Sequence, residues 1–207
     1  MPVKIKFCGI TRVEDAEAAA MLGVDAIGFV FYAASPRCIA VPHAAEIART
    51  LPPFLCKVGL FVNASAAEVA AVSHAVGLDL VQYHGDETPA ACARSPRPWI
   101  KAMRVRAELD LARECARYGD ASAWLFDSYD DKLYGGSGKV FDWRLLTAHQ
   151  QRPLILAGGL TPDNVGMAIR ATAPYAVDVS GGIEAAKGIK DHEKMQKFVA
   201  EVKRLER

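Results

Sequence analysis

No two cysteines of this 207-residue chain stand as a C-x-x-C pair. The commonest thiolate spacing of a zinc site is therefore missing, and no metal is expected. The five cysteines present, Cys8, Cys38, Cys56, Cys92 and Cys115, are odd in number and scattered. A disulfide framework is not expected from such a set. Net charge is nearly absent too: 25 basic residues against 24 acidic ones leave a formal +1. That balance argues against nucleic acid or a membrane surface as partner. A small anionic substrate stays open, because it needs only local positive potential. No apolar run approaches the ~20 residues of a bilayer span. The opening M-P-V-K-I-K-F-C lacks the apolar segment of a signal peptide. The expectation is a reduced, cytoplasmic protein, in which the sequon Asn63-Ala64-Ser65 carries no meaning. No G-x-G-x-x-G follows the first apolar run, and Y-G-G-S-G-K at 134–139 lacks the spacing of a P-loop, since Val140 follows the lysine. No cofactor is expected, and 129–141 reads as a flap.

Apolar residues are plentiful, at 51 %, enough to bury a sizeable core. Eight short segments rich in β-branched and aromatic residues read as buried strands: 3–8, 26–31, 56–62, 78–83, 99–105, 124–127, 154–157 and 176–179. Alanine-rich amphipathic stretches lie between them. One starts after Thr11 as N-cap. Another runs from Ser65 to a stop at Gly77, and a third stops at Gly119. A fourth follows Thr161-Pro162, with proline at the first helical turn. The last places Met195, Phe198, Val199 and Val202 on one face. Shorter helices are expected near 43–51, 88–94 and 143–148. Strand starts recur at near-regular intervals with no linker to spare. Alternating β and α implies a parallel sheet, and eight units imply a single α/β domain over 1–207, a closed (β/α)8 TIM barrel. The chain is short for a fold that typically takes ~250 residues. An open doubly wound sheet is the alternative.

In such a barrel the active site lies at the carboxyl ends of the strands. Strand one ends in Cys8-Gly9. Period two puts Lys4, Lys6 and Cys8 on one face and Ile5 and Phe7 on the other. If the apolar face meets the helices, Cys8 points into the mouth. A lone strand cysteine is usually packing, yet this position also suits chemistry. Strand two leads into F-Y-A-A-S-P-R, where Arg37 could fork a carboxylate or phosphate, or lie solvated. His84 after strand four could shuttle a proton or only hold loops. Asp127 at the end of strand six is placed to act as a general acid, since burial favours the neutral carboxyl. It could equally pair with Lys6 or Lys101. Asp178 faces inward near the top of strand eight. Gly158-Gly159 and Gly181-Gly182 follow strands seven and eight, where barrels commonly bind phosphate through backbone N–H groups. Acid, base and phosphate anchor together suggest isomerisation or ring opening of a phosphorylated sugar.

Eight ordered motifs resemble the phosphoribosylanthranilate isomerase family of tryptophan biosynthesis over nearly the whole chain. They are K-F-C-G-I-T, G-F-V-F-Y-A-A-S-P-R, V-G-L-F-V-N, V-Q-Y-H-G-D-E, L-F-D-S, G-G-S-G-K-V-F-D-W, L-A-G-G-L-T-P-D-N-V and V-D-V-S-G-G-I-E. Tyr83, Ser137 and Gly181 depart from the family's more usual leucine, threonine and serine. The resemblance implies an Amadori rearrangement without cofactor, with a small phosphorylated molecule as substrate, in a monomer or homodimer. It implies Cys8 as general base, Asp127 as general acid, and Arg37 on the anthranilate carboxylate. Gly158, Gly159, Gly181 and Gly182 would hold the phosphate, and Asp178 is a candidate for orienting the substrate. Of the cations that could favour the Cys8 thiolate, only one lysine, Lys6, is expected nearby, so the substrate's own charge is expected to contribute. Indole-glycerol-phosphate synthase shares the last two loops but would leave the Cys-Gly ending unexplained. A histidine-pathway isomerase would carry aspartate in place of Cys8. A non-catalytic sugar-phosphate barrel would lose the acid or the base.

Overall fold

The structure, a computed structural model, describes residues 2–105, 110–128, 143–146 and 152–205. Eight parallel strands close into a barrel in chain order. They are β1 (Lys4–Cys8), β2 (Ala26–Val30), β3 (Cys56–Phe61), β4 (Leu80–Tyr83), β5 (Trp99–Val105), β6 (Ala123–Ser128), β7 (Leu154–Leu156) and β8 (Ala176–Val179). Helices α1 (Val13–Met21), α2 (Val41–Thr50), α3 (Ala66–Val76), α4 (Pro89–Cys92) and α5 (Leu111–Arg117) follow the first five strands in turn. α6 (Val165–Thr172) follows β7, and α7 (His192–Arg204) ends the ring. Between β6 and β7 the described residues hold one 3-10 turn, Trp143–Leu146, where a helix over 143–148 was expected. The rest of that expected helix and the whole 129–141 flap, Ser137 included, lie outside the described residues. An antiparallel ribbon, β9 (Glu184–Ala186) with β10 (Ile189–Lys190), is inserted between β8 and α7. The segmentation at the level of residue pattern does not separate it from a loop, because two- and three-residue strands carry no period.

Strand alternation sorts the core into two shells. Ile5 and Phe7 of β1 face the helices, and the Phe7 ring meets Phe198 of α7 edge-on at 6.1 Å. Met195, Val199 and Val202 are buried beside Phe198, as the helical spacing requires. Inside the barrel lies a second layer of small and aliphatic side chains, Ile100, Ala102, Ala123, Leu125, Ile155, Ala157 and Ala176. Above it Cys8 packs with Val30 and Leu60. The interior is thus filled below, and a cavity opens at the carboxyl ends of the strands. Among the described residues no helix is long and apolar enough to cross a membrane.

Two helix starts differ from expectation, for local reasons. Ser65 caps α3 as expected, accepting from Glu68 N, and Gly77 ends that helix with left-handed φ of 70°. α1, however, is not capped by Thr11. Its N-cap is Arg12, while the Thr11 hydroxyl donates to Gly188 O on the ribbon turn. α6 begins at Val165, so Pro162 is not in its first turn. Asn164 spends its side chain on the preceding turn, accepting from Thr161 N at 2.8 Å and donating to Gly159 O at 2.9 Å. Asparagine competes in this way with helix extension. Truncating the aromatic plug between barrel and last helix, Phe198→Ala, should cost about 3–5 kcal/mol of stability. Urea unfolding followed by circular dichroism measures it.

Candidate active site

One cavity at the carboxyl ends of the strands is lined by Cys8, Arg37, Gln82, His84, Asp127 and Asp178, together with Gly158, Gly159, Gly181 and Gly182. Every candidate named from the sequence therefore meets in one place. Cys8 ends β1 facing inward, 6 % exposed. Its neighbour in register on β2 is Gly28. A Cβ on Gly28 would come within 2.8 Å of the Cys8 sulfur, so the glycine makes the space the thiol occupies.

The ion pairs around the thiol differ from one expected pattern. Lys6 does not reach Asp127. It donates to Asp178 Oδ2 at 2.8 Å, both side chains being buried. Lys101 lies on the opposite face of the sheet, over the Tyr118 ring. It pairs with Glu87 at 2.8 Å and also donates to Gly85 O, fixing the loop after β4. Asp127 is left to other partners. Its Oδ1 accepts from Ser128 N at 2.8 Å, and its Oδ2 lies 3.3 Å from His84 Nε2. Gln82 Nε2 stands 2.9 Å from His84 Nδ1. With the amide nitrogen donating, the imidazole proton sits on Nε2, toward the carboxylate. His84 is 3 % exposed and at this place can orient Asp127.

Arg37 is not a solvated surface arginine. It is buried, and Glu184 grips it through two bonds of 2.7 Å. The two glycine loops touch: a Cβ on Gly182 would collide with the backbone oxygen of Leu160. That contact needs glycine and brings the ends of β7 and β8 together over the cavity. A second lysine, Lys190, stands near the thiol as well. Its Nζ donates to Cys8 O at 2.7 Å and to Ser180 O at 3.1 Å. Glu184, Lys190, Gln82 and Gly28 are the site residues that sequence reasoning missed. Glu184 lay in a quoted motif, V-S-G-G-I-E, but nothing marked which arginine it would meet.

These charges set the state of the thiol. Burial pushes the Cys8 pKa up. Lys6 pulls it down, Asp178 pushes it up again, and Lys190 adds a smaller downward pull. The sum stays above the ordinary thiol value, so the ligand-free protein holds Cys8 mainly as the neutral thiol at neutral pH. For Lys6 burial acts in the unfavourable direction, but the Asp178 carboxylate outweighs it and the ammonium is held protonated. Among the described residues no group of three or more His, Cys, Asp or Glu is placed to hold a metal ion.

The fold and the cavity define a (β/α)8-barrel enzyme whose mouth carries a thiol and a carboxyl in one pocket. More narrowly, the chain belongs to the N-(5'-phosphoribosyl)anthranilate isomerase family. The model of the family described as N-(5'phosphoribosyl)anthranilate (PRA) isomerase matches residues 5–201. A relative from Pseudomonas putida named N-(5'-phosphoribosyl)anthranilate isomerase is 56 % identical over 201 residues, covering 97 % of this chain and 98 % of that protein. The crystal structure of phosphoribosyl anthranilate isomerase from Thermotoga maritima is similar with a TM-score of 0.91 at 41 % identity, covering 97 % of this chain and 98 % of that one. A further solved isomerase, in complex with reduced 1-(o-carboxyphenylamino)-1-deoxyribulose 5-phosphate, has a TM-score of 0.86 at 38 % identity, with 97 % and 98 % covered.

In the ligand-free protein, alkylation of Cys8 followed by mass spectrometry should show a rate that climbs with pH to a midpoint above the ~8.5 of a free cysteine. The direction follows from burial outweighing the two lysines.

Proposed function

We propose that this chain converts N-(5-phosphoribosyl)anthranilate to 1-(2-carboxyphenylamino)-1-deoxyribulose 5-phosphate in tryptophan biosynthesis, by general acid–base catalysis. The observation that carries the reading is the meeting of Cys8, Asp127, Arg37 and both glycine loops in one cavity. The bound molecule of the solved relative, a reduced form of that product, supports the choice of substrate.

Asp127 gives a proton to the furanose ring oxygen. The C1–O bond breaks, and the amine nitrogen's lone pair forms the cationic Schiff base. The Cys8 thiolate takes the proton from C2, and the electron pair moves to the nitrogen to give an enolamine. In the tautomerisation to the aminoketose, Cys8 passes its newly gained proton to C1 and the C2 hydroxyl gives its proton to the Asp127 carboxylate, which restores the acid. Only protons and electron pairs within the substrate move, so the chemistry calls for no metal or redox cofactor. Arg37 binds the anthranilate carboxylate as a charge-assisted pair. Gly158, Gly159, Gly181 and Gly182 let backbone N–H groups approach the phosphate. Asp178, with its Oδ1 unpartnered and buried, accepts a sugar hydroxyl. All these groups come from one chain, so the reading holds for a monomer and a homodimer alike. The five cysteines are free thiols, in keeping with a reducing cytoplasm.

The cationic Schiff base arises next to a thiol that burial keeps neutral. A positive charge there lowers the thiol pKa, so the thiol releases its proton to solvent and becomes the base when it is needed. The rising limb of kcat/KM, which reports the free enzyme, should therefore lie at higher pH than that of kcat, which reports the complex. Coincident limbs would show that substrate charge contributes nothing. In a fluorescence assay of phosphoribosylanthranilate consumption, Cys8→Ser and Asp127→Asn should each fold normally and lose about 100-fold to 10,000-fold in kcat, the usual worth of a positioned acid or base. Near-wild-type turnover of either variant would remove that residue from the mechanism.

A further inference from the structure

Among the described residues Arg37 has one hydrogen-bond partner for its guanidinium, and that partner takes a single edge. Nε donates to Glu184 Oε1 and Nη2 to Glu184 Oε2, both at 2.7 Å. Arginine carries five N–H donors in a rigid planar fork. Two are thus occupied, and the Nη1 pair and one Nη2 hydrogen have no hydrogen bond among the described residues. Glu184 is itself braced, since Oε1 also accepts from Lys190 Nζ at 3.1 Å and from Gly188 N at 3.3 Å. Lys190, fully enclosed, ties the cluster to the carbonyl of Cys8. Beneath the arginine lie two backbones. A Cβ on Gly9, whose φ is +73°, would come within 2.6 Å of Arg37 Cδ, and one on Gly181 within 3.2 Å of Nη2.

Charge points the same way as geometry. Burial pushes the Glu184 carboxyl up, but Arg37 and Lys190 outweigh it and hold it ionised. Two buried cations then share one anion, which leaves one surplus positive charge at the cavity wall. A ligand carboxylate completes the neutralisation. Without Glu184 the two cations would repel each other, and nothing would fix the plane of the guanidinium.

We propose that Glu184 is a positioning residue for substrate recognition: it takes the Nε–Nη2 edge of Arg37, sets the guanidinium on the Gly9 and Gly181 backbones, and presents the remaining edge to the substrate carboxylate. The inference rests on the reading of Arg37 as the carboxylate-binding cation. It also explains the place of the β9–β10 ribbon, which carries Glu184, Gly188 and Lys190 to the barrel mouth as one unit.

A double-mutant cycle tests it. Glu184→Ala should raise KM by about 10-fold to 100-fold, the scale of a misplaced positioning group, with kcat changed far less. Glu184→Gln keeps an acceptor for the fork and should recover part of the loss. In an Arg37→Ala background, Glu184→Ala should add nothing to KM, because the residue acts only through the arginine. Binding of a carboxylate-free phosphoribosylaniline analogue should be the same in wild type and Glu184→Ala. Additive losses, or equal losses on both compounds, would mark a general packing role and overturn the proposal. If Arg37→Ala alone leaves KM unchanged, the carboxylate reading fails with it. If Arg37→Ala raises KM and Glu184→Ala does not, only the Glu184 proposal fails. Should Glu184→Ala not fold, Glu184→Gln carries the same cycle.

Discussion

β1 and β8 become neighbours only because the sheet closes, and Lys6 and Asp178 face each other across that seam. They are 172 residues apart in the chain and 2.8 Å apart in space. Leaving either charge alone in the barrel would cost about 3–5 kcal/mol, so the pair belongs to the closure as much as to the site. Everything at the mouth hangs on that register. Cys8 stands two residues beyond Lys6 on the same face, and Ser180 two beyond Asp178. Closing the barrel therefore sets the thiol beside the last glycine loop and supplies the ribbon that follows it.

The same seam governs the chemistry proposed for the pocket. Lys6 spends its charge on Asp178, while Arg37 and Lys190 share Glu184. Few uncompensated cations remain near the sulfur, and burial prevails. A thiol kept neutral in the resting pocket is a poor nucleophile and a poor target for oxidation. It becomes a base when a cation forms beside it. In the mechanism proposed here, that cation is the substrate's own Schiff base, so the reactive form arises only in its presence.

Much of this was legible in the residues. The barrel follows from eight alternating β and α segments, and the inward turn of Cys8 and the outward turn of Phe7 follow from a period of two. The face of α7 follows from helical spacing. Asp127 and the glycine pairs are marked by their place at strand ends, where a barrel collects its functional groups. Helix starts were less legible. Thr11 and Asn164 each offer a capping group to a helix and to a loop; a partner far along the chain decided the first, and the preceding turn decided the second. The pairing of charges was the least legible of all. Lys6, Lys101 and Lys190 look alike in sequence, yet one serves the seam, one the loop after β4 and one the ribbon.

What the sequence determined by itself was the periodic and the local: which segments are strands, which face is apolar, and which residues end each strand. Those depend on neighbours within a few positions. Only the tertiary structure decided which carboxylate each buried cation meets, that Gly28 makes room for the sulfur, and that Glu184 fixes Arg37. The reason is distance along the chain. Arg37 and Glu184 are 147 residues apart, and no local periodicity encodes a contact that exists only after the barrel has closed.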